Sequence, residues 1–160
     1  MDLRILYNWA MKVFVENRKA RAAYRVLEVM ESGIVLTGSE VKSIRAGRVS
    51  LSDAYVKVAS GQGILINLYI HPYGFADNRK YDPRRTRSLL MHKYQLRYLE
   101  SKTAQKGLTL IPMKIYEKHN RFKVEVALVR GKTQVDRRKE LKERDLNREM
   151  QIALRGKKTA

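Results

Sequence analysis

A mainly β domain is the fold class that the sequence predicts: a small closed antiparallel barrel with flanking helices, followed by a disordered basic tail. Three observations point to it. Short apolar runs, several of them alternating, are separated by Gly, Asn and Asp turn residues. Only two segments before the tail carry apolar residues at helical spacing. Beyond Gly131 the composition shifts abruptly, with ten Lys/Arg and five Asp/Glu in the last thirty of 160 residues. That length holds one domain and a tail, and the 44 % hydrophobic content is enough to fold part of it.

Each element follows from its own residues. Residues 1–15 read as an N-terminal extension: Arg4 and Asn8 interrupt the apolar stretch Leu3, Ile5, Leu6, Trp9, which fits neither a signal peptide nor a membrane span. Met11-Lys12 would itself read as a start. Tyr24 to Leu36 is dense in β-formers and interrupted by Glu31-Ser32-Gly33, which predicts a hairpin. Thr37 to Gly47 opens on a capping residue, spaces Val41, Ile44 and Arg45 helically, and closes on glycine. Ala54 to Val58 alternates, Gly61-Gln62-Gly63 turns, and Ile64 to Ile70 returns as an antiparallel strand. Residues 74–88 form a polar loop loaded with cations and expected to be mobile. Leu89-Leu90-Met91 is a short apolar run, and Tyr94, Leu96, Tyr98 and Leu99 mark a helix stopped near Gly107. Leu108 to Tyr116, with Pro112 as edge or bulge, and the alternating Phe122 to Leu128 form a last hairpin about Lys118 to Arg121. The domain thus spans 16–130, and this order of short strands and helices suggests an oligonucleotide-binding-like topology.

The tail, 131–160, holds i,i+4 pairs at Lys139/Glu143 and Glu140/Arg144, each worth only about 0.2–0.5 kcal/mol. It reads as disordered when free, either as a solvated tail or as a segment that a partner folds along Leu146, Met150, Ala153 and Leu154.

Chemistry is mostly excluded. Cysteine is absent, so disulfides and thiolates are ruled out. Ser39 and Lys42 match an S-x-x-K pattern, but the companion elements of serine acyl-enzymes are missing and helix capping accounts for the serine. His71, His92 and His119 stand apart from any ligand partners, so no metal, cofactor or catalytic residue is assigned.

Charge is informative. Thirty-four Lys/Arg against 16 Asp/Glu give a net charge of +18, which calls for a polyanionic partner. Three clusters stand out: Asn17-Arg18-Lys19-Ala20-Arg21, the helical series Lys42, Arg45 and Arg48, and Arg84, Arg85 and Arg87. Each alone reads as a solvated face; together on a small barrel they read as an RNA surface. Tyr24, Tyr73 and Tyr81 beside them would either stack bases or pack as half-buried residues.

Residues 16 to about 150 closely resemble the SsrA-binding protein family, also called small protein B. The resemblance rests on Asn17-Arg18-Lys19-Ala20-Arg21 with Tyr24, on Glu31 to Leu36, and on Gly38-Ser39-Glu40-Val41-Lys42-Ser43-Ile44-Arg45-Ala46-Gly47-Arg48. It continues through Asp82-Pro83-Arg84-Arg85-Thr86-Arg87 with Leu89-Leu90, Lys106 to Pro112, and Ala127 to Lys132. The resemblance implies a monomeric, cytoplasmic, non-enzymatic protein that binds the tRNA-like domain of transfer-messenger RNA (tmRNA) and delivers it to stalled ribosomes. By that likeness RNA contacts fall on Asn17, Arg18, Lys19, Arg21, Tyr24 and Glu31, on Lys42 and Arg45, and on Leu90 and Met91, where the family usually has leucine at 91. The tail is implied to fold against 16S and 23S rRNA, in the decoding centre and mRNA channel. There Lys132, Asp136, Arg137, Arg138, Lys139 and Arg144 would face rRNA, with Leu146, Met150 and Leu154 along one helix face. Val135 stands where the family places a residue able to stack on a base. Two rival readings remain beside it, a structural ribosomal protein and a basic barrel ribonuclease.

Overall fold

The computed structural model describes residues 11–156, so the reading of residues 1–10 lies outside it. Nine strands and four helices are present among the described residues. The strands are β1 (Met11–Glu16), β2 (Tyr24–Ile34), β3 (Val49–Ser50), β4 (Tyr55–Ala59), β5 (Gln62–Ile66), β6 (Tyr69–Ile70), β7 (Arg87–Leu90), β8 (Leu108–Lys118) and β9 (Arg121–Gly131). The helices are α1 (Arg18–Ala23), α2 (Gly38–Arg45), α3 (Lys93–Thr103) and α4 (Gln134–Gly156). The chain divides into two compact units at Arg130/Gly131.

The first unit is mainly β with flanking helices. Its strands run in the order β1-β8-β4-β5-β7-β2-β9, and β9 also pairs with β8, so the ladder returns on itself. Long β8 makes this possible: its C-terminal part takes β1 from Met11↔Lys118 to Glu16↔Lys114, while Leu110 takes Val56 of β4. The β8/β9 hairpin turns through His119 and Asn120, both at positive φ (51° and 57°), which suits the twist of the flanking strands. The bulge expected at Pro112 is there, as a register shift between Pro112 and Lys114.

Apolar alternation fills the interior. Val124, Val126 and Leu128 of β9 join Val56, Leu65, Leu89, Leu110 and Ile115 in one cluster, sealed by Ile44 of α2 and by Leu96 and Leu99 of α3. The opposite side of the hairpin is covered too: Ile111, Met113, Ala127 and Val129 pack with Ala20 of α1 and half-buried Tyr24. The hairpin is therefore buried on both faces.

Five expectations change. The extension predicted to reach residue 15 ends earlier, because from Met11 the chain pairs with β8. Residues 24–34 form one strand and not a hairpin. Ser32 is buried and donates to Val124 O at 3.3 Å. Gly33 is needed for close approach, since a Cβ there would meet Leu90 Cβ at 3.1 Å. The predicted strand 64–70 breaks at Asn67 (φ 60°), and the turn between β4 and β5 falls on Ser60 and Gly61 (φ 53° and 70°), one step before the predicted position. Among the described residues the tail is helical over Gln134–Gly156, and the start of that helix has a local cause. Thr133 Oγ1 accepts from Asp136 N–H and donates to the Asp136 carboxylate at 2.7 Å, and Lys132 pairs with Glu140 at 2.7 Å. No residue of α4 is buried.

Candidate nucleic-acid interface

Asn17 caps α1, accepting from Ala20 N–H at 3.0 Å, while its amide donates to Leu51 O and Pro112 O, both at 3.1 Å. Every polar atom of its buried side chain is thereby engaged within the protein. This corrects its reading as an RNA contact: Asn17 sets the direction of α1. On that short helix Arg18, Lys19 and Arg21 are exposed, and Lys19 lies 3.8 Å from Asp53. Beside them a cleft of about 450 Å³ is lined by Lys19, Tyr24, Asp53 and Tyr55. Tyr24 is both packed and accessible, half-buried on the second apolar cluster and at the edge of this cleft.

Glu31, near the end of β2, is an exposed carboxylate with a prepared orientation. The Tyr116 hydroxyl donates to it, and the ammonium groups of Lys118 and Lys123 lie at 3.7 and 3.8 Å. The Tyr116 hydrogen bond lowers the Glu31 pKa most; partial burial opposes it, and the two lysines add to the lowering. Glu31 is thus held ionised, with its carboxylate turned toward Tyr116 and the two cations. Burial, and after it the same bond, push the Tyr116 hydroxyl well above its ordinary value.

The cluster at 84–87 behaves differently. Arg87 is 0 % exposed, on β7 in the same alternation as inward-facing Leu89. Its guanidinium donates to Glu40 Oε1 at 2.9 and 2.7 Å, to Leu68 O at 2.6 Å and to Pro83 O at 3.2 Å. Arg85 grips the same carboxylate, at 2.8 Å to Oε1 and 2.5 Å to Oε2. The reading of Arg87 as an RNA contact is corrected, while Arg85 is committed to Glu40 with a third of its side chain still exposed. A buried carboxylate draws these guanidinium groups inward, and Arg87 has no access to solvent. Glu40 is also the capping-box partner of Thr37, whose N–H donates to it at 3.0 Å. Burial raises the Glu40 pKa, but the hydrogen bonds from Arg85, Thr37 N–H and Arg87 outweigh it, so the net shift is downward. Sequence reasoning missed Glu40. The period-two placement of Arg87 with Leu89 is the signal that a charged residue points into the core and needs a partner.

Arg84 faces outward, its guanidinium 5.3 Å from the Tyr69 ring. The two helical cations split. Lys42 lies over Tyr73 at 5.3 Å. Arg45 pairs with Glu117 at 3.0 Å and covers Phe122, which stacks on Phe14. Leu90 is 62 % exposed, whereas Met91 packs against the core. In the tail Arg137, Arg138, Lys139, Arg144, Leu146, Met150 and Leu154 are exposed, while Lys132 and Asp136 are occupied in starting α4. No group of acidic residues and histidines suited to a metal occurs among the described residues.

The model of the family described as SmpB protein matches residues 14–156. The SsrA-binding protein of Pelotomaculum thermopropionicum is 47 % identical over 146 residues, covering 91 % of this chain and 95 % of the relative. That of Aquifex aeolicus is 48 % identical over 143 residues, covering 89 % and 91 %, and that of Nostoc punctiforme is 48 % identical over 150 residues, covering 93 % and 97 %. Among solved structures, a chain described under "tmRNA-SmpB: a journey to the center of the bacterial ribosome" superposes with a TM-score of 0.64 at 44 % identity, covering 79 % of this chain and 93 % of that one. Similarity of this extent reaches across both compact units, and the chain belongs to the SmpB protein family.

Proposed function

We propose that this chain is a cytoplasmic, non-enzymatic RNA-binding adaptor, which binds the tRNA-like domain of tmRNA and brings it to stalled ribosomes for tagging of incomplete peptides. The observation that carries this reading is the family match over 14–156, which includes the β-rich unit and α4 together. The returning ladder supports a closed barrel of the oligonucleotide-binding kind as the RNA-gripping body. No described helix is long and apolar enough to cross a membrane.

The chemistry is division of labour. Arg18, Lys19 and Arg21 meet phosphates, giving affinity without sequence information. Glu31, held ionised and oriented by Tyr116, accepts hydrogen bonds from base N–H groups, which a lysine cannot do. The exposed face of α4 with Leu146, Met150 and Leu154 meets the ribosome.

Recovery of the protein from cells followed by sequencing of its bound RNA tests the reading: tmRNA should dominate, undegraded after incubation. Enrichment on stalled over idle ribosomes is expected, and equal abundance on both would favour a structural ribosomal protein. Glu31→Gln should weaken tmRNA binding while leaving unrelated RNA bound equally or more tightly; uniform weakening across RNAs would count against a base-reading role.

A further inference from the structure

The loop between β6 and β7 holds Phe75, which at 93 % exposure is the most exposed large hydrophobic side chain among the described residues. A single exposed phenylalanine is ordinary by itself, but this one is presented by a built turn. Ala76 N–H and the Asn78 amide both donate to Tyr73 O, at 3.1 and 2.8 Å. The Phe75 ring leans on Tyr73 at 5.6 Å, and Tyr73 also carries the Lys42 ammonium at 5.3 Å. The loop is also anchored. The Tyr81 hydroxyl donates to Ile70 O at 2.9 Å, and Arg87, fastened to Glu40, holds Pro83 O at 3.2 Å. An apolar face that stays in water on an ordered loop is a preorganised contact, and ordering it again on binding costs little.

The surroundings identify the partner. Lys42, whose ammonium lies over Tyr73, is exposed on α2, Lys80 and Arg84 are exposed in the same loop as Phe75, and the whole chain carries +18. An exposed aromatic ring beside cations suits an unpaired nucleotide, which offers a flat face and a phosphate together. Duplex RNA keeps its base faces stacked and offers this ring no open π-face. We propose that Phe75 stacks on an unpaired RNA base, with Lys42, Lys80 and Arg84 on the flanking phosphates, as a contact separate from Arg18, Lys19, Arg21 and Glu31. This rests on the reading of the chain as an RNA-binding adaptor.

The test uses the full chain with a fluorescent single-stranded oligoadenylate and a blunt RNA duplex of equal length, followed by anisotropy. Phe75→Ala should weaken single-strand binding by about fivefold or more and leave duplex binding unchanged. Phe75→Trp should bind as the parent does, and Phe75→Leu should resemble the alanine variant, because it is apolar without a π-face. The log–log salt slope of Phe75→Ala should match the parent, since every cation that meets a phosphate is still in place. Parent-like single-strand binding by Phe75→Ala, or by Phe75→Leu, would overturn the proposal. Binding of tmRNA by the same variants separates the two readings: if tmRNA is held while Phe75→Ala leaves the single strand unaffected, only the stacking role fails. If the parent does not bind tmRNA at all, the adaptor reading fails.

Discussion

Two arginine-rich segments that look alike in the sequence end in opposite environments. Arg18, Lys19 and Arg21 stand on the outside of α1, whereas Arg85 and Arg87 turn inward onto Glu40, whose side chain has no exposed surface. The difference lies in what each segment finds beside it. Near α1 the exposed carboxylate of Asp53 lies 3.8 Å from Lys19, a pair too solvated to draw a cation from water. Near β7 a carboxylate is already buried by the start of α2, and a buried charge needs partners within hydrogen-bond reach. One segment leaves its charge facing a polyanion; the other commits it to holding α2 and the 71–86 loop together.

The contrast should break most visibly in stability. Glu40→Gln leaves Arg87 buried without a counter-charge and should cost about 3–5 kcal/mol in urea unfolding. Neutralising Arg18, Lys19 and Arg21 should cost no more than about 0.5 kcal/mol per site. Comparable costs would mean that α1 is as structurally committed as the clamp.

RNA binding should reverse the order. The triple variant of Arg18, Lys19 and Arg21 should flatten the log–log salt dependence of tmRNA binding by about 0.7–0.9 for each phosphate it no longer neutralises. Arg87→Lys keeps the charge but forfeits the forked hydrogen bonds, so it should lower stability and leave that slope unchanged. A slope altered by Arg87→Lys in the folded state would put Arg87 back among the RNA contacts.

Acid should sharpen the comparison. The folded pKa of Glu40 lies below its ordinary value of 4.5, so the unfolded chain takes up the proton first. The stability contributed by the clamp is complete above about pH 4.5 and is lost as pH falls below it, through the lower folded value. The acid limb of a stability-against-pH curve should therefore be shallower in Glu40→Gln than in the parent, while the α1 triple variant should reproduce the parent's limb.

The smallest effects on stability and on tmRNA affinity belong to α4, where no charge is buried. Its described residues bury nothing, and its i,i+4 pairs contribute about 0.2–0.5 kcal/mol each. Removing residues 132–160 should leave the thermal midpoint of the β-rich unit unchanged and tmRNA affinity nearly intact, while abolishing tagging on stalled ribosomes. Added salt should reduce the helical circular dichroism of the full chain but not of the truncated one. A helical signal insensitive to salt would point to packing in place of ion pairs.

Much of this was legible in the sequence, because it depends on neighbours in the chain. The capping of α2 by Thr37, the alternation in β9, the turn after Lys118 and the change of composition at Gly131 each involve residues a few positions apart. Such patterns are local free-energy preferences and survive without knowledge of the fold. Glu31-Ser32-Gly33 misled for the complementary reason. Turn-forming residues are also small ones, and here Gly33 serves the approach of Leu90 across the sheet. The fates of Asn17, Arg85 and Arg87 depended on Pro112, Leu51 and Glu40, which lie 95, 34 and 45 to 47 residues away along the chain. Composition counts charges but does not say which of them meet an opposite charge out of water. The sequence alone determined that this protein is a basic, mainly β chain with a compositionally distinct tail. Only the tertiary structure decided which cations remain available to a polyanion, because burial and pairing are properties of chain segments brought together by folding.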